Sequence, residues 1–211
     1  MDIIKLKIEG DAQGILLQNP RSCDPLDSFV KYNSLHPVNK NTRPTLQDYE
    51  NLAVRSWFSG IYTDIPIECS DDGQIICEDN TQLIIPADMM QSCFRSGASK
   101  TGSLGKKFTA GVLVTGDAIL KHDKSSLPLS EQCNICFLRK SVVINRNRVM
   151  STRPLFHRWS IEAEIHINTN IISKSDAMTS IKNAGILCGM GVWRPNSPKP
   201  GIHGRFSVEE I

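Results

Sequence analysis

The segment from His157 to Asn168 reads HRWSIEAEIHIN. Trp159, Ile161, Ala163, Ile165 and Ile167 share one parity; Ser160, Glu162, Glu164, His166 and Asn168 share the other. An apolar/polar period of two is the mark of a strand with one face on a core and one on water. Such a sheet needs cover on its apolar face, and amphipathic helices are found on either side of the segment in sequence. Downstream, Ser173 caps a helix with Asp176 three residues on, and Ala177, Met178, Ile181, Ala184, Gly185 and Cys188 form its stripe. A glycine-rich turn and a last strand from Arg205 to Ile211 follow. Upstream, Gln82 to Ile85 is a short buried strand, and Pro86 begins a helix whose Met90, Cys93, Phe94 and Gly97 share a face.

The same segment closes a second feature. Ile135 to Ile144 reads as a strand, NRNRVMSTRPLF is too polar for a core element, and together with 157–168 they predict a long hairpin over about 135–168. Arg146, Arg148 and Arg153 would sit at its tip, with Arg139, Lys140 and Arg158 at its root. Between Arg139 and Arg158 there are five Arg, one Lys and no acid, more positive charge than solvation requires. A second basic segment, RSGASKTGSLGKKF, sets Arg95, Lys100, Lys106 and Lys107 among glycines and reads as a flexible loop, with Thr109–Thr115 as the next strand and HDKSSLPLSEQ as a loop after it. The third is the turn over 189–204, where Trp193, Arg194, His203 and the adjoining Arg205 are interleaved with Gly189, Gly191, Gly201 and Gly204. It reads either as an ordinary turn or as a loop that approaches a phosphate backbone or an unstacked base. Trp193 is read with the same two options, stacking or packing.

Toward the N-terminus, DIIKLKIEG gives an alternating strand with Ile3, Leu6 and Ile8 as its apolar positions. Gln18 to Pro44 is polar and irregular, the start of an insertion over about 18–60. Thr45 and Asp48 make a capping-box start to a helix carrying Leu46, Tyr49, Leu52/Ala53 and Trp57 and ending near Gly60. Asp72-Gly73 marks a hairpin turn within a stretch, Asp64 to Asp79, that holds six acids and no Lys or Arg.

At 211 residues and 40% hydrophobic content the chain is expected to form a single domain over 1–211. No run approaches the ~20 apolar residues of a spanning helix. The opening MDIIKLKIEGD lacks the order of a signal peptide, so a cytosolic protein without a membrane partner is expected. Seven scattered Cys read as reduced thiols. Cys133 and Cys136 have metal-ligand spacing without a second pair, and no metal or other cofactor is expected.

Laid end to end, these parts resemble the RAMP superfamily, the ferredoxin-like RNA-binding folds that form backbone subunits of CRISPR effector complexes. Three places carry the likeness: Ile85-Pro86 through Arg95, similar to the family's passage from strand to helix; Lys140 to Ile167, similar to its strand, thumb-like hairpin and returning strand; and Gly189-Met-Gly-Val-Trp-Arg with Gly204-Arg-Phe-Ser-Val, similar to its glycine-rich loop. Ala87 and Asp88 stand where Gly-Ser is usual, placing an acid where the family often meets phosphate. The fuller pattern is similar to a set of uncharacterised bacteriophage and prophage proteins. The resemblance implies an α+β, ferredoxin-like (RRM/RAMP-like) antiparallel sheet with helices on one face, a long N-terminal insertion and a thumb-like basic hairpin. It also implies a cytoplasmic setting in a bacterial or phage-infected host.

The expected function is non-catalytic binding of RNA or single-stranded DNA, with the loop 95–107, the hairpin tip and the turn 193–205 converging on one side of a four-stranded sheet. A second reading is an interaction module: a homo-oligomer joined head to tail through the acidic stretch and the basic hairpin, or a phage protein that joins or mimics a CRISPR-type complex. A third is an endoribonuclease, for which Asp24, Asp27 or His203 would supply the chemistry.

Overall fold

Strand β1, Asp2–Gly10, forms the axis of a four-stranded sheet and is paired on both sides. It runs antiparallel to β10, Ser160–Ile167, in the register Ile4↔Ile165, Leu6↔Ala163 and Ile8↔Ile161. On its other side lies β11, Phe206–Glu210, with Ile8↔Val208. Strand β6, Val112–Val114, pairs antiparallel with β10, giving the order β11-β1-β10-β6. The alternation read in 157–168 is realised: Ile161, Ala163, Ile165 and Ile167 are buried, as are Ile4, Leu6, Ile8, Val112, Val114, Phe206 and Val208 from the neighbouring strands. In β1 the inward residue is Ile4; Ile3, expected to be inward, points to water, because an even parity shared with Leu6 and Ile8 cannot include it.

Two helices contribute to this core. α3, Ala87–Lys100, buries Met90, Cys93, Phe94 and Ala98, and α6, Lys174–Leu187, buries Ala177, Ile181 and Ala184; the two helices pack on each other. Ser173 caps α6 by accepting from Asp176 N–H at 3.1 Å. Pro86 is the capping residue of α3, one position before the helical start expected for it.

The computed structural model describes every residue except Asn39, Lys40, Thr42 and Asn145. The first three belong to the expected insertion and Asn145 to the expected hairpin tip, so those parts lie outside the described residues. The chain divides into two compact units: Met1–Leu16, Leu83–Asp123 and Phe156–Ile211 make the first; Leu17–Gln82 and Lys124–Leu155 make the second.

The first unit also contains β2, Ile15–Leu16, and the short pair β5, Ile84–Ile85, with β7, Ala118–Ile119. Its main departure from expectation is the segment 95–107. The segment is not a flexible loop: α3 runs to Lys100, and α4, Gly105–Gly111, follows after one short turn. Phe108, fully buried, anchors α4. The strand expected from Thr109 therefore starts at Val112, after the helix has ended.

The second unit holds α1, Ser28–Leu35, within the stretch expected to be irregular. Asp27 caps it, accepting from Phe29 N–H and Val30 N–H, and Phe29 is buried under the Arg21 guanidinium, 4.6 Å from the ring centroid. α2, Leu46–Gly60, has the expected capping box, with Thr45 N–H donating to Asp48 at 2.7 Å and Asp48 N–H to Thr45 at 3.3 Å. Leu46 and Tyr49 are exposed; the buried residues are Arg55, Trp57, Phe58 and Gly60, so only the C-terminal half of α2 is core. The acidic hairpin forms as read, β3, Glu68–Cys69, against β4, Ile75–Ile76, around Asp72-Gly73. A short helix α5, Leu129–Gln132, precedes β8, Phe137–Ile144.

The expected hairpin over 135–168 is corrected in its pairing. β8 pairs with β9, Asn147–Phe156, from Phe137↔Pro154 to Ile144↔Asn147, and β10 belongs to the other sheet. The polar residues 147–153 form a strand all the same, since the distal part of the β8–β9 pair leaves most of its described side chains in water and needs no apolar parity.

Candidate functional site

The basic arm β8–β9 places its cations by register. Residues opposite one another on an antiparallel pair share a face. Arg139, Val143, Arg148 and Met150 therefore lie on one face, and Lys140, Val142, Val149 and Arg153 on the other. Arg139, Lys140 and Arg148 are exposed, as is Arg146 in the connecting turn, where its φ is +66°. Arg148 Nη1 reaches Ser141 Oγ at 3.5 Å and Arg139 lies over the Phe137 ring, 5.3 Å from its centroid. Arg153 differs: it is half-buried, its Nε donates to Ser151 Oγ at 3.2 Å, and burial pulls its pKa below the ordinary arginine value. Arg148 and Arg153 thus belong to a strand and not to the tip, and Arg158, expected at the root, lies beyond the arm in the first unit with a φ of +49°.

In the first unit, Arg95 and Lys106 line one open depression of about 770 Å3, together with Ser99, Ser103, Gly105 and Thr109. Lys100 ends α3, and Lys107 is exposed on α4. The middle of α3 meets the first residue of the glycine-rich turn. Cys93 Sγ contacts the Gly189 carbonyl at 3.2 Å, Asn183 donates to Thr101 Oγ1 at 2.9 Å, and the Cys188 thiol, pushed up by burial, is pulled back down by Lys100 and Arg194. These contacts tie α3 to α6 and to Gly189, the first residue of the turn.

The turn itself is tightly tied. Met190 N–H donates to Gly204, Gly204 N–H to Gly14 and Val192 N–H to Leu16, each at 2.8 Å. Arg194 donates from Nη1 to the Gly191 carbonyl, and its own carbonyl accepts from Ser197 and Gly201. It is an organiser of the turn. Trp193 is half-buried, with a left-handed φ of +50°. His203 Nδ1 lies 2.8 Å from the Gln13 carbonyl and His157 Nδ1 lies 3.3 Å from the Ala12 carbonyl. A carbonyl oxygen only accepts, so both rings carry their proton on Nδ1 and hold the loop between β1 and β2. Arg205 is exposed beside the turn.

The acids weighed for chemistry have structural partners. Asp24 accepts from Leu26 N–H at 2.9 Å; Asp27 caps α1 and lies 3.5 Å from Arg21 Nε. Asp117, which the sequence reading passed over, accepts from Ala87 N–H at 2.8 Å. With Asp88 in the first turn, the start of α3 already faces two carboxylates and repels a phosphate. Among the described residues no three His, Cys, Asp or Glu side chains are grouped to hold a metal ion, and no helix is long and apolar enough to cross a membrane.

The open face of the four-stranded sheet is the other surface a nucleic-acid-binding sheet would use, with aromatic side chains as base platforms. Here that face carries Ile3, Lys5, Lys7 and Glu9 from β1, Glu162, Glu164 and His166 from β10, and Glu209 from β11, with Lys5 opposite Glu164 and Lys7 opposite both Glu162 and Glu209. Lys7 is bound to Glu9 at 2.7 Å, and that hydrogen bond raises its pKa. Cations there are matched by carboxylates, and among the described residues that face carries no Phe, Tyr or Trp.

No protein-family model matches the chain, and no curated protein matches it in sequence.

Proposed function

We propose that the protein binds nucleic acid without cleaving it, RNA or single-stranded DNA, holding the sugar-phosphate backbone with little regard to sequence. The observation that carries this reading is the β8–β9 arm, whose cations Arg139, Lys140, Arg146 and Arg148 stand in water with no acid between Glu131 and Glu162. In this reading the first unit is a ferredoxin-like domain of the RAMP kind. Support comes from its element order, β1-α3-β6-β10-α6-β11, and from the sheet order β11-β1-β10-β6. Leu17–Gln82 and Lys124–Leu155 are then insertions into that domain, and the arm takes the place of a thumb. A cytoplasmic setting in a bacterial or phage-infected host belongs to the same reading.

The test is the salt dependence of binding to a fluorescent oligonucleotide. Each phosphate neutralised on a single strand contributes a slope of about 0.7 in log affinity against log salt. Four exposed cations then predict a slope near −2.8 and about a 50-fold loss of affinity between ~50 and ~200 mM salt. The variant Arg139→Gln/Arg146→Gln/Arg148→Gln leaves Lys140 alone, with a slope near −0.7 and about a threefold loss. Binding that ignores both salt and the triple substitution refutes the proposal.

A second reading rests on the acidic hairpin. Asp64, Glu68, Asp71, Asp72, Glu78 and Asp79 are all exposed, so the protein displays a negative and a positive surface that two copies, or a CRISPR-type partner, can pair. Light scattering separates the readings. Oligomers at low salt without nucleic acid favour assembly; a monomer that gains mass only with RNA or DNA favours binding.

A further inference from the structure

We infer that the depression between α3 and α4 is a binding site for a phosphate monoester, which on the nucleic-acid reading above is the terminal phosphate of a strand. Its walls come from two helices that fold back on one another through Gly102 and Ser103, both left-handed, at φ of +56° and +68°. Arg95 and Ser99 are one turn apart on α3, and Lys106 and Thr109 face them from α4. Among the described residues neither Arg95 nor Lys106 makes an ion pair, and the chain has no acid from Met89 to Gly116. A depression with two unneutralised cations and no carboxylate has the electrostatics of an anion site.

The hydroxyls narrow the ligand. Ser99 Oγ donates to the Arg95 carbonyl at 3.0 Å and Thr109 Oγ1 to the Gly105 carbonyl at 2.8 Å. Their protons are spent inside the helices, so toward the depression they offer lone pairs. Arg95 and Lys106 are therefore the charged donors for a phosphate, and Ser99 and Thr109 are acceptors for a neighbouring hydroxyl. A sugar phosphate supplies both. The lining has no aromatic side chain on which a base would stack, and the volume, about 770 Å3, exceeds what a bare phosphate fills. Gly105 keeps the space open: a Cβ there would stand 2.5 Å from Ser99 Oγ.

The experiment compares two oligonucleotides of one sequence, one with a 5′-phosphate and one with a 5′-hydroxyl, by fluorescence anisotropy at fixed salt. Inorganic phosphate and ribose 5-phosphate are titrated separately against the amide resonances of Ser103 and Gly105. The expected result is about tenfold tighter binding of the phosphorylated strand, the size of one charge-assisted hydrogen bond, abolished in Arg95→Gln/Lys106→Gln and in Gly105→Leu. The double variant changes only exposed side chains, and Gly105→Leu keeps both charges while filling the space. If Gly105→Leu retains the preference, the cations act as plain surface charge and the site is refuted. Resonance shifts with ribose 5-phosphate but no binding of either oligonucleotide support the site with a free sugar phosphate as ligand, and sink the nucleic-acid reading. Equal binding of both strands, with no response to either small phosphate, sinks the site and leaves that reading standing.

Discussion

Gly204 and Gly102 form a matched pair of perturbations. Both are left-handed, with φ of +76° and +56°, so an alanine at either costs the same conformational penalty, about 1–2 kcal/mol. Their surroundings differ. At Gly102 nothing lies within 4 Å of the added Cβ; at Gly204 it would stand 1.8 Å from the Met190 carbonyl oxygen, with the Met190 carbon at 2.9 Å and nitrogen at 3.0 Å. These are backbone atoms, so relief requires the turn to move, and moving it stretches the bonds from Met190 N–H to Gly204 and from Gly204 N–H to Gly14. At about 1 kcal/mol each, their loss brings Gly204→Ala to about 3–4 kcal/mol. For a chain of this size a kcal/mol is worth roughly 3 °C in Tm, so Gly102→Ala lowers Tm by about 4 °C and Gly204→Ala by about 10 °C. Any gain from a stiffer unfolded chain applies to both and cancels in the comparison. Thermal melts followed by tryptophan fluorescence, with Trp159 buried in the same unit, read the difference. Equal drops would mean that the turn is loose at Gly204 and that its hydrogen bonds do not hold it.

Two further outcomes test the second unit. Trp57→Phe removes the Nε1–H bond to the Cys136 carbonyl, 2.7 Å and fully buried, and leaves a small void; a loss of about 2 kcal/mol in urea titrations is expected, and an unchanged midpoint refutes the buried placement. Hydrogen bonds from the Thr45 backbone and then its hydroxyl hold the Asp48 pKa below its ordinary value. A depressed folded pKa gives stability that is present above the unfolded pKa and is lost as pH falls through the folded one. Asp48→Asn is therefore expected to flatten that part of the acid limb in melts taken from ~pH 6 to ~pH 2.5, around the unfolded Asp value near 3.9; parallel profiles refute it.

Strands with one wet face were legible because burial imposes parity: β10, β1 and the Asp72-Gly73 hairpin were each read from alternation or turn chemistry. The caps Ser173 and Thr45 were legible because the signal lies within three residues. The misreadings share a cause. β9 keeps no parity because the distal arm is wet on both faces, and 95–107 looked like a loop because Gly102, Gly105 and the serines outnumber the one residue, Phe108, that pins α4. α1 had its cap in view at Asp27, but a single buried side chain, Phe29, leaves no stripe to count. In the site, charge clusters are local and were read; partners are not. Nothing near His203 announces Gln13, and nothing near Ala87 announces Asp117.

The formal charge of +2 conceals how the chain separates its charges. On the open sheet face four carboxylates, Glu9, Glu162, Glu164 and Glu209, stand against Lys5, Lys7 and Lys121, the last bound to Glu162 at 3.3 Å, and cross-strand neighbours lie about 5 Å apart. That spacing is half the Debye length of about 10 Å at 0.1 M salt, so a phosphate approaching the face meets paired charges whose fields cancel or repel it. On the β8–β9 arm Arg139, Lys140, Arg146 and Arg148 are exposed and Arg153 is half-buried, with no acid between Glu131 and Glu162, so their fields add. An interface that neutralises phosphates gains its affinity from released counterions, and a cation already held by a carboxylate contributes less to that release. The strands that build the fold are thus the least suited to hold a polyanion. On the proposed function, binding falls to the arm and to the depression between α3 and α4, where the sequence sets its cations in runs with no acid among them.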